Sequence, residues 1–290
     1  MNTVIENSPA DIKTENEVTF LGKSNDCFFD EAVSDEVIAR FQAAQTGDTV
    51  VFGYYAQSAD KKAAELPIEW IVLDKQGPRM LLLSKYVLDT GAYNFFIPDS
   101  DDYDEEEENQ EDEIYVPEDE YEYVYDKETK TFKKVKKIIL KEPLGKWDIS
   151  SLRAWLNRTF FDSDFIRTAF SDAEKNLIEG VILKNFDNPK HKTRGGEDTT
   201  DKIFILSNAQ IRRYFPKKES RIAYPTPYAK ANGVYCKKDG SCDWWVRTPG
   251  QNKYGANIVS TTGNLNSSYN CRYDFIGIRP ALWINLDFNE

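Results

Sequence analysis

Apolar positions along the chain change period several times, and each change marks a predicted element. SDEVIARFQAA, residues 34–44, sets Val37, Ile38 and Phe41 on one face behind a serine N-cap, which predicts a short amphipathic helix. The pattern then shortens to strand alternation. GDTVVFGYYAQ and IEWIVLDKQGPRMLLLSKYVL read as three strands, and Lys-Gln-Gly-Pro between the last two is a hairpin signal. Helical spacing returns in DISSLRAWLNRTFF, with Ser150 as cap and Leu152, Trp155, Leu156 and Phe160 as the apolar stripe. FSDAEKNLIEGV carries a capping box, Ser171 with Glu174 three residues on. TDKIFILSNAQIRRYF places a buried strand ahead of a second box, Ser207 with Gln210. In TPYAKANG, Thr226 is the cap, Pro227 takes the first helical position and Gly233 stops the helix. Short strands and polar loops follow in CDWWVRTPG, ANIVSTTGNLN and GIRPALWINL. Strands first, helices in the middle and strands last predict an α+β fold rather than βαβ winding.

Between the first strands and the middle helices lies DSDDYDEEEENQEDE, too polar to bury a core and predicted to be disordered. It leads into YEYVYDKETKTFKKVKKIIL, whose alternation predicts a hairpin with an acidic arm facing a lysine-rich one. Opposed charges there are worth a few tenths to about 1 kcal/mol per pair. Residues 95–142 read as an insertion, so the chain divides into an N-terminal arm with a short helix, 1–46, and one domain, 47–290. Residues 99–126 hold 16 acids and no Lys or Arg, and removing those charges from the net −12 leaves +4. The acidity sits in the insert, which reads as a solubilising loop, with docking of a basic protein as the functional alternative.

At 290 residues, 40% hydrophobic and 13% aromatic, the chain buries a large core. It has no apolar run of bilayer length, and MNTVIENSPADIKTENE lacks the basic start and apolar stretch of a secretory signal. A cytoplasmic protein without membrane partners is expected. Cys236 and Cys242 flank a Lys-Lys-Asp-Gly-Ser turn and face each other if it folds back, although a reducing compartment favours free thiols. The only histidine, His191 in DNPKHKTRGG, argues against a His-rich metal site and reads as a solvated loop residue. With no basic patch interleaved with aromatics and no phosphate-binding glycine loop, nucleic-acid and nucleotide binding lack support.

The blocks GDTVVFGYY, IEWIVLDKQGPRMLLLSKYVLDTGAYN, WDISSLRAWLNRTFF, FSDAEKNLI, TTDKIFILSNAQ, DWWVRTPG and IGIRPALWINL resemble, in that order, an uncharacterised bacterial family, domain of unknown function 6273. The resemblance runs from about Gly47 to Leu286 and brings no activity with it. More distantly, Trp244-Trp245-Val246-Arg247, residues 255–273 and Gly277-Ile278-Arg279 resemble the close of the C-type-lectin-like fold in its formylglycine-generating-enzyme variety. That likeness implies a lectin-like core and, on fold analogy alone, nothing firm about chemistry. The copper-holding cysteine pair of those enzymes is matched by Cys242 and Cys271 in type only. The iron relatives need several histidines, and the calcium-binding lectins use Glu-Pro-Asn, Gln-Pro-Asp and Trp-Asn-Asp triplets that do not occur here. No cofactor or metal is implied. A divergent oxidase of the formylglycine-generating kind stays as the enzymatic alternative.

Recognition is the reading that the composition favours. Residues 251–274 devote 13 of 24 positions to Asn, Tyr, Ser and Gly, the palette of loop-built binding surfaces, which a turn-rich hairpin also uses. The expected function is a non-catalytic recognition or display module for a protein or glycan, and some lectin-like proteins carry a hypervariable surface at this point. Its candidate contact residues are Trp245, Arg247, Tyr254, Asn264, Asn266, Tyr269, Asn270, Arg272 and Tyr273. Of the adjacent tryptophans, one is expected in the core and the other under neighbouring loops, with Arg247 stacked on Trp245. Arg279 reads as a buried ion-pair or carbonyl anchor, and Trp70, Trp147, Trp155 and Trp283 as structural.

Overall fold

The computed structural model describes residues 33–60, 62–94, 145–158 and 163–287, with the backbone of two strands at 121–126 and 131–136. The run DSDDYDEEEENQEDE, expected to be disordered, lies outside the described residues. Helix α1 (Asp35–Ala43) starts at Ser34, whose hydroxyl accepts the Val37 N–H. Its buried Phe41 meets Phe52 edge-on at 5.7 Å. The helix therefore packs against the strand that carries Phe52.

Strands β1 (Thr49–Tyr55), β2 (Leu66–Gln76) and β3 (Arg79–Ser84) form an antiparallel meander. Gln76 faces Arg79 across the two-residue turn Gly77-Pro78. Gly77 has φ +61°, and proline holds φ near about −65°, the combination of a type II′ turn whose twist suits a hairpin. Strand β2 alternates, burying Ile68, Trp70 and Val72, whereas Met80 to Ser84 of β3 are all buried. After the short β4 (Asp89–Thr90), β5 (Tyr121–Asp126) and β6 (Thr131–Lys136) make the expected antiparallel hairpin. Its register is not the expected charge ladder. Glu122 is opposite Val135 and Asp126 opposite Thr131, while Tyr121 and Tyr123 are opposite Lys136 and Lys134.

The middle of the chain is helical, as its caps predict. Ser150 caps α2 (Ser151–Asn157), and α4 (Asp172–Leu177) has both hydrogen bonds of the Ser171–Glu174 box. Between them α3 (Phe165–Ala169), five residues long, is too short for periodicity to reveal. Short strands β7 (Ile178–Glu179), β8 (Val181–Leu183), β9 (Thr199–Asp201) and β10 (Ile203–Phe204) follow. The Ser207–Gln210 box then opens α5 (Asn208–Tyr214), and Thr226 caps α6 (Pro227–Ala231), which ends at Gly233 with φ +104°. The last strands are β11 (Trp244–Pro249), β12 (Gly255–Val259), β13 (Leu265–Asn270), β14 (Gly277–Ile278) and β15 (Ala281–Asn285).

Two larger sheets result, beside the two-stranded pairs β5-β6 and β8-β9, and the fold is α+β. The first runs β1-β2-β3-β15-β10, with β7 pairing the far end of β15. The second runs β13-β12-β11-β14-β4, antiparallel except where β11 meets β14. The chain crosses from the second sheet to the first in two residues, Arg279-Pro280. Arg279 is 3% exposed and faces no carboxylate among the described residues. Its Nε donates to the Ser84 carbonyl at 2.7 Å, one Nη donates to the Lys85 carbonyl, and the guanidinium lies 5.0 Å from the Trp244 ring and 5.8 Å from that of Phe215. One side chain thus ties the end of β3 to the centre of the other sheet. No helix among the described residues is long and apolar enough to cross a membrane.

Truncating Arg279 would leave two buried carbonyls unsatisfied and a void between the sheets. Arg279→Ala is expected to lower unfolding stability by about 2–4 kcal/mol. Urea denaturation of the purified variant measures this, and a loss within experimental error would remove the clamp from the account.

Candidate functional site

All six residues of β11 are buried, because a strand precedes and follows it in the sheet and both faces are covered. Both tryptophans are therefore core, not one. Trp244 donates its indole N–H to the Arg221 carbonyl at 3.1 Å, on the side of Arg279. Trp245 meets Tyr93 edge-on at 5.5 Å and donates to the Gly91 carbonyl at 2.8 Å. Arg247 does not stack on Trp245. Its guanidinium donates to the carbonyls of Ile205 and Lys184 and to the side-chain oxygens of Asn185 and Gln210. Burial pulls its pKa down to about 10, and those four acceptors offset the cost of the buried charge. Trp245 and Arg247 hold the scaffold and present nothing to solvent.

The surface that this scaffold carries starts at Asp243, the buried residue before β11. One oxygen of its carboxylate accepts the Thr261 N–H at 2.7 Å, and the other accepts the Tyr269 hydroxyl at 3.0 Å. The β12–β13 hairpin is fastened to the core at both its turn and its outer strand. Partial burial, together with the Asp243 charge, pushes the Tyr269 phenol up to about 12, so it remains a donor across the neutral range. The Tyr269 ring meets Tyr273 edge-on at 6.2 Å, and Tyr273 stacks on Phe275 at 5.0 Å and 24°. Tyr235 joins them, its N–H donating to the Phe275 carbonyl. Tyr235, Tyr273 and Phe275 are 52%, 42% and 37% exposed, a contiguous half-open aromatic cluster.

Beside the cluster opens a cleft of about 480 Å³ lined by Asp89, Thr90, Asn232 and Asp274, among others. The Thr90 hydroxyl donates to the Asp274 carbonyl, which joins cleft and cluster through one residue. Asp89 is held by the Tyr55 hydroxyl at 2.6 Å and by the Asn232 amide at 3.1 Å. Two carboxylates and an amide beside exposed rings suit a cationic or hydroxyl-bearing group. Among the described residues no three His, Cys, Asp or Glu side chains converge as a metal ion requires.

The remaining sequence-predicted residues are spread along this face. Asn264 is exposed, and its amide donates to Thr262. Asn266 accepts from Ser268, and Asn270 accepts the backbone N–H of exposed Arg272. Tyr254 lies apart from the aromatic cluster, under Lys253 at 5.1 Å. Phe275, Asp274, Tyr235, Asn232 and Asp89 were not expected. Phe275 and Asp274 adjoin Tyr273 and were within reach of the sequence. Asp89 and Asn232 lie in other elements, and only the fold brings them here.

The family's profile, described as a domain of unknown function, matches residues 130–286. The chain belongs to the DUF6273 family. The matched segment contains β10 and β15 but not β1 to β3, so the sheet of this DUF6273 chain is completed by strands outside the match. Neither the curated proteins nor the solved structures contain a match to the chain.

The pair Cys236 and Cys242 does face across the folded-back turn, with both thiols free. Burial pushes the Cys271 thiol up to about 12 and holds Cys242 still higher, whereas Cys236 is half-buried and raised less. Brief alkylation at neutral pH is expected to label Cys236 well before Cys242 and Cys271, read by peptide mass spectrometry; equal labelling would contradict this packing.

Tyr269 gives a pH dependence. Its folded pKa lies above the ordinary 10.0, so its contribution is intact below pH 10 and falls as the pH rises toward 12. Tyr269→Phe is expected to flatten part of the alkaline loss in stability, followed by denaturation at several pH values. A slope identical to that of the parent would exclude Tyr269 as a source.

Proposed function

We propose that this DUF6273 chain is a non-catalytic recognition module for a protein ligand, bound on the aromatic face of its C-terminal loops. The observation that carries this reading is the half-exposed cluster of Tyr235, Tyr269, Tyr273 and Phe275, in which Asp243 holds Tyr269 before any ligand arrives. Aromatic side chains offer large contact area with few rotatable bonds, and such residues dominate binding energy in protein interfaces. The cleft at Asp89 and Asp274 adds a place for a basic side chain of the partner. Asn264, Asn266, Asn270 and Arg272 supply the polar rim that interfaces place around an apolar centre. A C-type-lectin-like core and a cytoplasmic location belong to the same reading. The first rests on the order of the sequence blocks and on the last strand joining the first sheet; the second rests on the lack of an apolar run of bilayer length in the sequence.

Screening the full chain against protein and glycan arrays tests the proposal. Tyr273→Ala or Phe275→Ala is expected to weaken a protein ligand by about 2 kcal/mol, roughly thirtyfold. Retained binding in both variants would remove the face from the proposal, and binding of glycans alone would overturn the ligand class.

A further inference from the structure

A second cleft, of about 310 Å³, opens between three segments far apart in sequence. Its charged lining is Lys146 from one segment, His191, Lys192 and Arg194 from the second, and Lys253 from the third, with no acid among the lining residues. That concentration of positive charge is notable in a chain whose net charge is −12. Several cations elsewhere are paired, among them Arg79 with Glu179, Lys85 with Glu69, Arg153 with Asp201 and Lys184 with Asp198. Lys146, Lys192, Arg194 and Lys253 face no carboxylate among the described residues.

Three acids near the loop are engaged with its backbone. An oxygen of Asp187 accepts the Gly195 N–H, an oxygen of Asp148 accepts the Glu197 N–H, and Asp198 accepts the Asn185 N–H. The loop itself is a rigid construction. Buried Asn188 accepts the N–H groups of Lys190 and His191 and donates its amide to the carbonyls of Pro249 and Gly250. Lys192 is held at φ +61°, a left-handed backbone that side chains other than glycine seldom adopt. The opposite wall is equally tight: the Gly145 N–H donates to the Lys253 carbonyl, and a Cβ at Gly145 would sit 2.0 Å from the Gly255 oxygen. His191, expected to be solvated, is half-buried with Nε2 3.1 Å from the Ser267 hydroxyl. With three nearby acids turned to the backbone and these bases left to one cleft, the loops make a preformed site for an anion.

We propose that this cleft binds a small ligand carrying two linked phosphoryl groups. Four cations in so small a volume exceed what a single carboxylate neutralises. Arg194 offers the planar fork that matches phosphoryl oxygens, the lysines act as point charges, and the Thr193 hydroxyl adds a neutral donor. The site is separate from the aromatic face, and the two proposals stand or fall independently.

Calorimetric titration of the full chain with pyrophosphate tests it, with orthophosphate and citrate as comparison anions. One site is expected, with pyrophosphate bound more tightly than either comparison anion. Arg194→Ala and Lys253→Ala should each weaken it about tenfold, the loss of one charge-assisted hydrogen bond. Lys217→Ala, at an exposed lysine outside the cleft, should leave affinity unchanged, and thermal melts verify that each variant is folded. No heat at millimolar pyrophosphate would overturn the proposal, as would equal losses in all three variants. Citrate or orthophosphate binding as tightly as pyrophosphate would overturn the assignment to a two-phosphoryl ligand.

Discussion

The fold depends on a buried positive charge that no carboxylate among the described residues neutralises. Arg279 occupies the two-residue crossing between the sheets, where the chain must leave β14 and enter β15 at once. A charge in that position is costly unless its hydrogens find acceptors. Main-chain carbonyls at the end of β3 accept from Nε and one Nη, the other Nη is buried without a hydrogen-bond partner among the described residues, and the Trp244 ring covers the guanidinium face. Because those partners belong to different sheets, satisfying the charge fixes the sheets against each other. Arg247 repeats the device one strand away, joining β11 to the segments before α5 and after β8. Arginine suits the task where lysine does not, since its planar fork reaches several carbonyls at once.

Buried polar side chains finish what the arginines begin. Asp201, 1% exposed, accepts the Trp147 indole N–H at 2.7 Å and an Arg153 N–H at 2.6 Å. Asp243 fastens the β12–β13 hairpin, and Asn188 fastens the loop between β8 and β9. Each ties a surface segment to the core through hydrogen bonds to backbone or ring groups. Two surfaces are left preformed as a consequence: a half-open aromatic face on the C-terminal loops and a basic cleft on the far loop. Pre-ordered surfaces lose little conformational entropy when a ligand arrives, which is why rigid loops suit recognition.

Much of the local structure was legible in the sequence. The serine and threonine caps at Ser34, Ser150, Ser171, Ser207 and Thr226 all stand where their residue types and spacing put them. So does the hairpin at Gly77-Pro78. These features depend on residues within four positions of one another, and local chemistry decides them. Expectations that needed a partner distant in sequence fared less well. The 121–136 hairpin forms, but its register sets tyrosines rather than acids opposite the lysines. Nothing near Phe41 in sequence announces Phe52 as its neighbour. The tryptophan pair was divided between core and loops because alternation tells that two rings face apart, not that both sides are covered.

The amino-acid sequence by itself determined the α+β order of elements, their caps and turns, the family, and the Asn- and Tyr-rich character of the C-terminal loops. All of these follow from short-range stereochemistry, from composition and from the order of blocks. Tertiary structure alone decided which side chains reach solvent and which cations share a cleft. Trp245 and Arg247 became scaffold because β11 is an inner strand, and Asp89 came to share a cleft with Asp274 because β4 pairs with β14. Lys146, Arg194 and Lys253 meet because the Gly145 N–H donates to the Lys253 carbonyl and the Asn188 amide to those of Pro249 and Gly250. Contacts between residues a hundred positions apart are set by how whole sheets pack, and no local pattern encodes them.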